Sequence, residues 1–86
     1  MAIYIVYGPP ACGKTTNREA IAQFFTGNPK NYVDDWWRND SPRNNHVHLT
    51  TNNYVEEWEA KGYHVHEYAG LPAFLRKRPR AEGGAA

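Results

Sequence analysis

The chain has 86 residues, of which 41% are hydrophobic, 14% aromatic and 22% charged. This length allows one small domain, and the composition excludes a disordered chain, a coiled coil and a collagen-like repeat. The formal net charge of +1 excludes a globally basic surface for nucleic acid. The longest apolar run, residues 2–7, is too short for a membrane span, and Cys12 is the only cysteine. We therefore expect a cytoplasmic protein with neither a membrane anchor nor an intramolecular disulfide.

Strand and helix signals alternate through the first half of the chain. Residues 2–7 (AIYIVY) are β-branched and aromatic, which predicts a buried strand. Residues 14–25 have helical spacing that places three apolar residues on one side: Ile21, Phe24 and Phe25. Gly27 is suited to end this helix in the left-handed conformation. Residues 31–37 (NYVDDWW) predict a second strand, in which one of the two tryptophans faces inward and the other outward.

The second half continues the alternation. It contains a predicted third strand, a helix, a fourth strand and one or two helical turns, in this order: residues 46–50, 54–61, 63–68 and 73–78. Asn53 and Glu56 match a capping box at the start of the helix, and Trp58 is expected in the core. Only residues 35–45 connect the second and third strands, which is near the minimum for a parallel crossover. We therefore expect an irregular connection there.

This order of elements predicts an α/β fold. The expected architecture is a minimal three-layer domain over residues 1–72, with a mainly parallel sheet of about four strands. Residues 73–86 are expected to form a basic, partly disordered C-terminal tail. A ligand is expected at the carboxyl ends of the strands.

A phosphate-binding motif joins the first strand to the first helix. GPPACGKT, residues 8–15, satisfies the pattern G-x-x-x-x-G-K-[ST] in the required strand–loop–helix context. Glycines allow successive amides to point inward as an anion nest, and the helix N-terminus adds its positive dipole end. Lys14 is expected to reach the β- and γ-phosphates, and the Thr15 hydroxyl to ligate Mg²⁺. The predicted phosphate-binding residues are Gly8, Pro9, Pro10, Ala11, Cys12, Gly13, Lys14, Thr15 and Thr16.

This loop resembles that of the P-loop NTPases, and two further motifs extend the resemblance. VDDW (residues 33–36) is similar to the acidic end of a Walker B strand, and LTTN (residues 49–52) to a strand that ends in polar sensor residues. Together the motifs resemble small phage and prophage ATP-binding proteins over about residues 2–68, which implies a P-loop nucleotide-binding domain and, for a phage protein, the host cytoplasm. The resemblance implies that Asp34 holds Mg²⁺ through water and that Thr51 or Asn52 senses the γ-phosphate. The implied catalytic residues are Lys14, Asp35 and Asn52, with Asp35 activating water, and the implied metal ligands are Thr15 and Asp34.

The expected activity is Mg²⁺-dependent binding of ATP or GTP, with slow hydrolysis. One alternative is a phage-type interaction or inhibitor protein that keeps the scaffold without catalysis and exposes aromatic residues to a partner. A small-molecule kinase is a weaker alternative. Asp34 and Asp35 have two alternative interpretations of their own, an acceptor-binding pair or a solvated strand end. An arginine finger and a lid are expected from a homo-oligomer or another protein.

Two further patterns, paired histidines and a run of basic residues, are each open to a functional interpretation. His46/His48 and His64/His66 form two H-x-H pairs, a spacing that can share a transition metal, although half-buried polar strand positions are favoured. The P-loop strand is expected to separate the two pairs. Residues 76–80 (RKRPR) are the only charge run, for which a solvated tail is favoured over a nucleic-acid contact.

Overall fold

The computed structural model describes residues 2–9, 14 and 16–76. Four parallel strands form one sheet, and its strand order is β2–β3–β1–β4. The elements are β1 (Ile3–Tyr7), α1 (Arg18–Thr26), β2 (Tyr32–Val33), β3 (His46–Thr50), α2 (Val55–Ala60) and β4 (His64–Glu67), followed by 3₁₀ turns at Tyr68–Gly70 and Ala73–Leu75. The four-stranded parallel sheet confirms the predicted α/β class.

The core lies on both faces of the sheet, because β1 is central and buried on each side. Ile5 and Val6 have no exposed surface, and consecutive strand residues point to opposite faces. Val6 packs in a cluster with Ile21 of α1, and Ile5 packs in a second cluster with Trp58 of α2. The two helices therefore cover opposite faces, which gives the three predicted layers.

Helix α1 is shorter than predicted. It begins at Arg18 rather than at residue 14, and residues 16–17 form a turn before it. Ile21 is fully buried as expected, but Phe24 is 49% exposed, so its predicted place on the buried side is wrong. The physical reason is that Phe24 packs edge-on against Phe74 rather than on the sheet. Gly27 ends the helix with φ 81°, as predicted.

Strand β2 is also shorter than predicted, because the chain turns at its acidic residues. Asp35 adopts φ 55°, the left-handed conformation, which ends the regular strand after Val33. Trp36 then lies beside β3 and donates its amide to the carbonyl oxygen of Leu49 at 2.8 Å. Trp36 is 3% exposed and Trp37 58% exposed, which confirms the expected division between them. Residues 34–45 are all described and contain no helix, so the expected irregular connection is also confirmed.

Helix α2 does not begin with the predicted capping box. Tyr54 is its N-cap residue and makes no side-chain capping hydrogen bond. Asn53 therefore lies one position too early, and Glu56 is the second helical residue instead of the third. Trp58 is 1% exposed, which confirms its place in the core.

The C-terminal described segment contributes to the core. The helix predicted over residues 73–78 is a 3₁₀ turn at Ala73–Leu75, and residues 77–78 lie outside the described part of the chain. Leu75 is 1% exposed and belongs to the same cluster as Val6 and Ile21. The packed core thus reaches three residues past residue 72, where the domain was predicted to end.

His48 is a fully buried imidazole whose two ring nitrogens both have partners. Its Nε2 accepts the backbone amide of Arg43 at 2.8 Å, and its Nδ1 lies 2.9 Å from the carbonyl oxygen of Tyr4. This pairing requires the neutral tautomer with the proton on Nδ1. Burial lowers the pKa of His48 below its ordinary value of 6.5.

The stability of the fold should therefore decrease in mild acid. Below about pH 6.5 the unfolded chain binds a proton that folded His48 does not, so the free energy of unfolding falls until the pH reaches the lower folded-state pKa. His66, whose pKa is also lowered by burial, adds to the loss in the same direction. Urea unfolding at pH 7.5 and at pH 5 measures this decrease in the free energy of unfolding.

Two variants on β3 separate the contribution of His48 to this loss of stability in acid. His48→Gln should be less stable at pH 7.5 but should lose less stability on acidification. His46→Gln, on the same strand, leaves both hydrogen bonds of His48 in place. Because burial is the main cause of the lowered pKa of His48 and His46 a smaller one, this variant should retain most of the decrease. An undiminished decrease in His48→Gln would contradict this account.

Candidate functional site

The carboxyl ends of β1 and β3 form a topological switch point. The two strands are neighbours, with Tyr7 opposite Thr50. After β1 the chain continues into α1 on one face, and after β3 it continues into α2 on the other. In open parallel sheets, the crevice between two such strands is where ligands bind. The fold alone therefore directs attention to the segment that follows Tyr7.

The ammonium group of Lys14 lies against the two residues that directly follow β1. The Nζ atom donates hydrogen bonds to the carbonyl oxygens of Gly8 and Pro9, each at 2.8 Å. The residue is only 7% exposed. A buried ammonium has to be compensated by acceptors, and two main-chain carbonyls provide them here. One positive charge therefore lies against the two carbonyl oxygens that directly follow the central strand.

Three of the other predicted phosphate-binding residues lie in the described part of the chain: Gly8, Pro9 and Thr16. Gly8 is buried, and its amide donates to the carbonyl oxygen of Thr50 at 3.1 Å, so this amide extends the pairing of the sheet. Pro9 and Thr16 are exposed. Pro10, Ala11, Cys12, Gly13 and Thr15 lie outside the described residues.

The two predicted acids follow β2 at the same edge of the sheet. Asp34 and Asp35 are both exposed, and the Oδ1 atom of Asp34 accepts the amide of Asp35 at 2.9 Å. This bond and the left-handed backbone of Asp35 fix the direction in which the Asp34 carboxylate points. Because the strands are parallel, the acids lie at the edge that also carries Gly8 and Lys14.

Polar residues at the end of β3 hold the connection between β2 and β3 in place. Thr50 is buried, and its hydroxyl accepts the amide of Asn52 at 3.0 Å. The side-chain oxygen of Asn52 in turn accepts the amide of Arg38 at 2.8 Å. Asn52 thus fastens the turn after Trp37, while Thr51 is exposed at the same end of the sheet.

Two contacts at the start of α1 were missed by the sequence analysis. Asn17 is 5% exposed and donates from Nδ2 to the hydroxyl of Tyr68 at 2.9 Å, which ties the helix start to the turn after β4. Arg18 donates from Nε to the hydroxyl of Tyr32 at 3.0 Å. The available signals were an Asn directly before a helix and polar aromatics at the strand ends, and neither pattern specifies a partner.

The histidine pairs do not converge on a shared position. Strand β1 lies between β3 and β4, which confirms the expected separation of the pairs. His48 uses both ring nitrogens in hydrogen bonds. His64 stacks on Tyr4, and the ring of His66 packs at a tilt against Phe25. Among the described residues, no group of three or more His, Cys, Asp or Glu side chains is placed to hold a metal ion.

Only the first residue of the basic run lies in the described part of the chain. Arg76 donates from Nε to the carbonyl oxygen of Leu71 at 2.8 Å, which closes the turn that carries Leu75. Residues 77–80 lie outside the described range. No helix in the described chain is long and apolar enough to cross a membrane.

Comparison with protein-family models, with curated proteins and with solved structures gives no match to this chain.

The left-handed backbone at Asp35 predicts an unusual order of stabilities. Asp35→Gly should be more stable than Asp35→Ala by about 1 kcal/mol, because both remove the carboxylate but only glycine adopts φ 55° without strain. Urea unfolding of the two variants measures the difference.

A matched pair at Asp40 serves as the control, since that residue lies in the same connection without a positive φ. There the alanine variant should be the more stable of the two. If the alanine variant were the more stable one at position 35 as well, Asp35 would not hold the left-handed conformation in solution.

Proposed function

We propose that the protein binds a purine nucleoside triphosphate, ATP or GTP, together with Mg²⁺. The observation that carries this proposal is the Lys14 ammonium, held by the carbonyl oxygens of Gly8 and Pro9 beside the switch point of a parallel sheet. A cation at this position is suited to a polyphosphate, whose oxygens would replace or supplement the two carbonyls as acceptors. The G-x-x-x-x-G-K-[ST] pattern supports the same function independently.

The predicted metal ligands have chemistry suited to Mg²⁺. Asp34 offers a carboxylate and Thr15 a hydroxyl, and hard oxygen donors of this kind bind Mg²⁺ together with phosphate oxygens and water. The Asp34 carboxylate is exposed and oriented by the amide of Asp35. A bound Mg²⁺ would neutralise charge on the β- and γ-phosphates, while Lys14 and the backbone bind and orient the chain of phosphates.

Slow hydrolysis is a further part of the proposal. Asp35 would orient or activate water, and its left-handed backbone directs its side chain differently from that of Asp34. Residues in sparsely populated backbone conformations cluster at functional sites, which supports this role. Asn52 would contribute indirectly. Its side-chain oxygen accepts the amide of Arg38 and so holds the turn in place, rather than contacting phosphate.

A second candidate function, binding to another protein, is supported by exposed aromatic surface. Four large aromatic side chains are at least 41% exposed: Phe24, Trp37, Tyr54 and Phe74. Phe24 and Phe74 form one exposed pair with ring centroids 5.7 Å apart. Aromatic residues of this kind are enriched at protein interfaces. Under this alternative the phosphate loop is a scaffold and millimolar nucleotide does not change the melting temperature.

Nucleotide binding should raise the melting temperature in a Lys14-dependent way. A ligand at 100 times its Kd adds about 2.7 kcal/mol to the free energy of unfolding, or roughly 10–20 °C for a domain of this size. Lys14→Met keeps most of the aliphatic stem and should abolish the shift produced by Mg·ATP or Mg·GTP. Lys30→Met is the matched control. Lys30 is an exposed lysine whose Nζ lies 3.9 Å from Oε2 of Glu19. A shift that persists in Lys14→Met, or no shift in the unchanged protein, would refute nucleotide binding at this loop.

The Mg²⁺ dependence should require Asp34. In the unchanged protein, Mg²⁺ should increase the affinity for ATP measured by calorimetry, and in Asp34→Asn this increase should disappear while weak metal-free binding remains. Asp40→Asn removes another exposed acid from the same connection and should behave like the unchanged protein. If Mg²⁺ increased the affinity for ATP equally in Asp34→Asn, Asp34 would not be a residue that holds the metal.

A further inference from the structure

In the described part of the chain, six aromatic and imidazole rings form a continuous row on the face of the sheet that carries α1. Each ring contacts its neighbour, with ring centroids 4.7 to 5.7 Å apart. Tyr4 packs against the cluster around Ile21 of α1, and His64 lies opposite Tyr4 in the sheet, so both side chains point to this face. From β4 to the Ala73–Leu75 turn, the ring row consists of His64, Tyr4, Phe25, Phe24 and Phe74, with His66 beside Phe25.

Core packing accounts for only part of the ring row. Tyr4 and Phe25 are half-buried and pack against the core cluster on this face. Phe24 and Phe74 are 49% and 58% exposed, and His64 is exposed as well. The row lies at β4, an edge strand, whereas α1 packs mainly against β2 and β3. Large apolar side chains that are exposed together rather than singly mark a binding surface.

Positive charge is concentrated at the Phe74 end of the ring row. Residues 68–81 contain four basic residues and no acidic one. Arg76 is exposed, and its Nε donates to the carbonyl oxygen of Leu71 at 2.8 Å, which holds its side chain on the turn that carries Phe74. The other three basic residues lie within residues 77–80, outside the described part of the chain. Their backbone cannot extend further than about 14 Å from Arg76, because each residue spans at most about 3.6 Å.

The acidic residues of the neighbouring elements do not offset this charge. Glu67 of β4 lies opposite Tyr7, which packs against the cluster around Trp58 of α2, so its side chain points to the other face of the sheet. Glu19 of α1 is paired with Lys30, with 3.9 Å between Oε2 and Nζ. The ring row therefore combines exposed rings with an uncompensated positive charge at one end, which is complementary to a chain of phosphates.

We propose that the ring row binds single-stranded nucleic acid, with bases stacked on the exposed rings and phosphates contacted by Arg76 and the basic residues that follow it. Unpaired bases stack on Phe, Tyr and His side chains with little regard to sequence, since every base has a π-face. Cations beside the rings neutralise phosphates and release counterions. None of these residues belongs to the phosphate loop, so binding here is independent of nucleotide binding at Lys14.

The charge next to the rings favours a nucleic acid over an apolar protein surface. An apolar partner would bury the rings but would bring the adjacent cations into an interface without counter-charges, and desolvating an unpaired charge is costly. A duplex is also disfavoured, because its bases already stack on one another and do not present their faces to the rings. A single strand supplies both free base faces and phosphates.

Fluorescence anisotropy tests this binding with a labelled single-stranded oligonucleotide of about 12 nucleotides, as DNA and as RNA, at about 50 mM salt. The unchanged protein should bind it saturably and should bind a duplex of the same sequence at least about tenfold more weakly. Phe74→Ala should weaken the affinity roughly 5- to 100-fold through the loss of one stacked base. Arg76→Gln should weaken it and reduce its dependence on salt, whereas Arg76→Lys should restore most of both.

Matched controls separate this surface from other exposed residues. Trp37 is as exposed as Phe74, at 58%, but follows β2 at the opposite edge of the sheet, so Trp37→Ala should leave the affinity unchanged. Arg43 is exposed, and its amide donates to His48, which packs against Trp36 on the α2 face, so Arg43→Gln should also have no effect. Urea unfolding verifies that each variant is folded, and Phe24→Ala replaces Phe74→Ala if the latter is not.

Three results of the binding measurements would overturn the inference: no saturable binding of either oligonucleotide, equal affinity for the duplex, or no greater loss in the phenylalanine variants than in Trp37→Ala. Displacement of the oligonucleotide by millimolar Mg·ATP would also overturn it, because the strand would then occupy the nucleotide site. If the protein instead self-associates through the ring row, so that Phe74→Ala lowers its sedimentation coefficient, and binds no oligonucleotide, the surface is a protein interface and the inference is wrong.

Discussion

The parallel pairing of β1 with β3 is the constraint on which the candidate site depends. This pairing places Tyr7 opposite Thr50 and extends by one further hydrogen bond from the Gly8 amide to Thr50. The connections after the two strands leave on opposite faces, which is the arrangement in which parallel sheets bind ligands at the carboxyl ends of their strands. The ammonium group of Lys14 donates to the carbonyl oxygens of Gly8 and Pro9 at this end of the sheet. A shift in the register of this one pair would separate the loop from the polar end of β3.

Part of the described core near this pairing consists of polar side chains. Lys14, Asn17, His48 and Thr50 are all buried, and each has a hydrogen-bonding partner in the described structure. Buried polar groups stabilise a fold only when their partners are in place, so these contacts make the arrangement specific as well as stable. Three of the four lie at the carboxyl edge of the sheet, where the candidate site is. A bound anion would add further partners for the same region.

Local sequence patterns predicted the elements but not the contacts between them. The strands β1 and β3 are each encoded within a few neighbouring residues, and their place in the fold follows from the alternation of strands and helices. Strand β2 was overestimated because a period of two cannot reveal that Asp35 turns left-handed. The pairings of Asn52 with the Arg38 amide and of Arg18 with Tyr32 each join residues 14 positions apart. Such contacts depend on the order of the strands in the sheet, which the secondary-structure propensities of the residues do not specify.

The central claim is the proposal that a polyphosphate binds at the carboxyl ends of β1 and β3, against the ammonium group of Lys14. The most direct measurement is an NMR titration of amide-labelled protein with Mg²⁺ and a non-hydrolysable ATP analogue. The account predicts saturable shifts that are largest at Gly8, Lys14 and Thr16, with further changes at Asp34 and Asp35 and little change in α2. Largest shifts at the exposed aromatic residues, or no saturable shift at millimolar analogue, would contradict it.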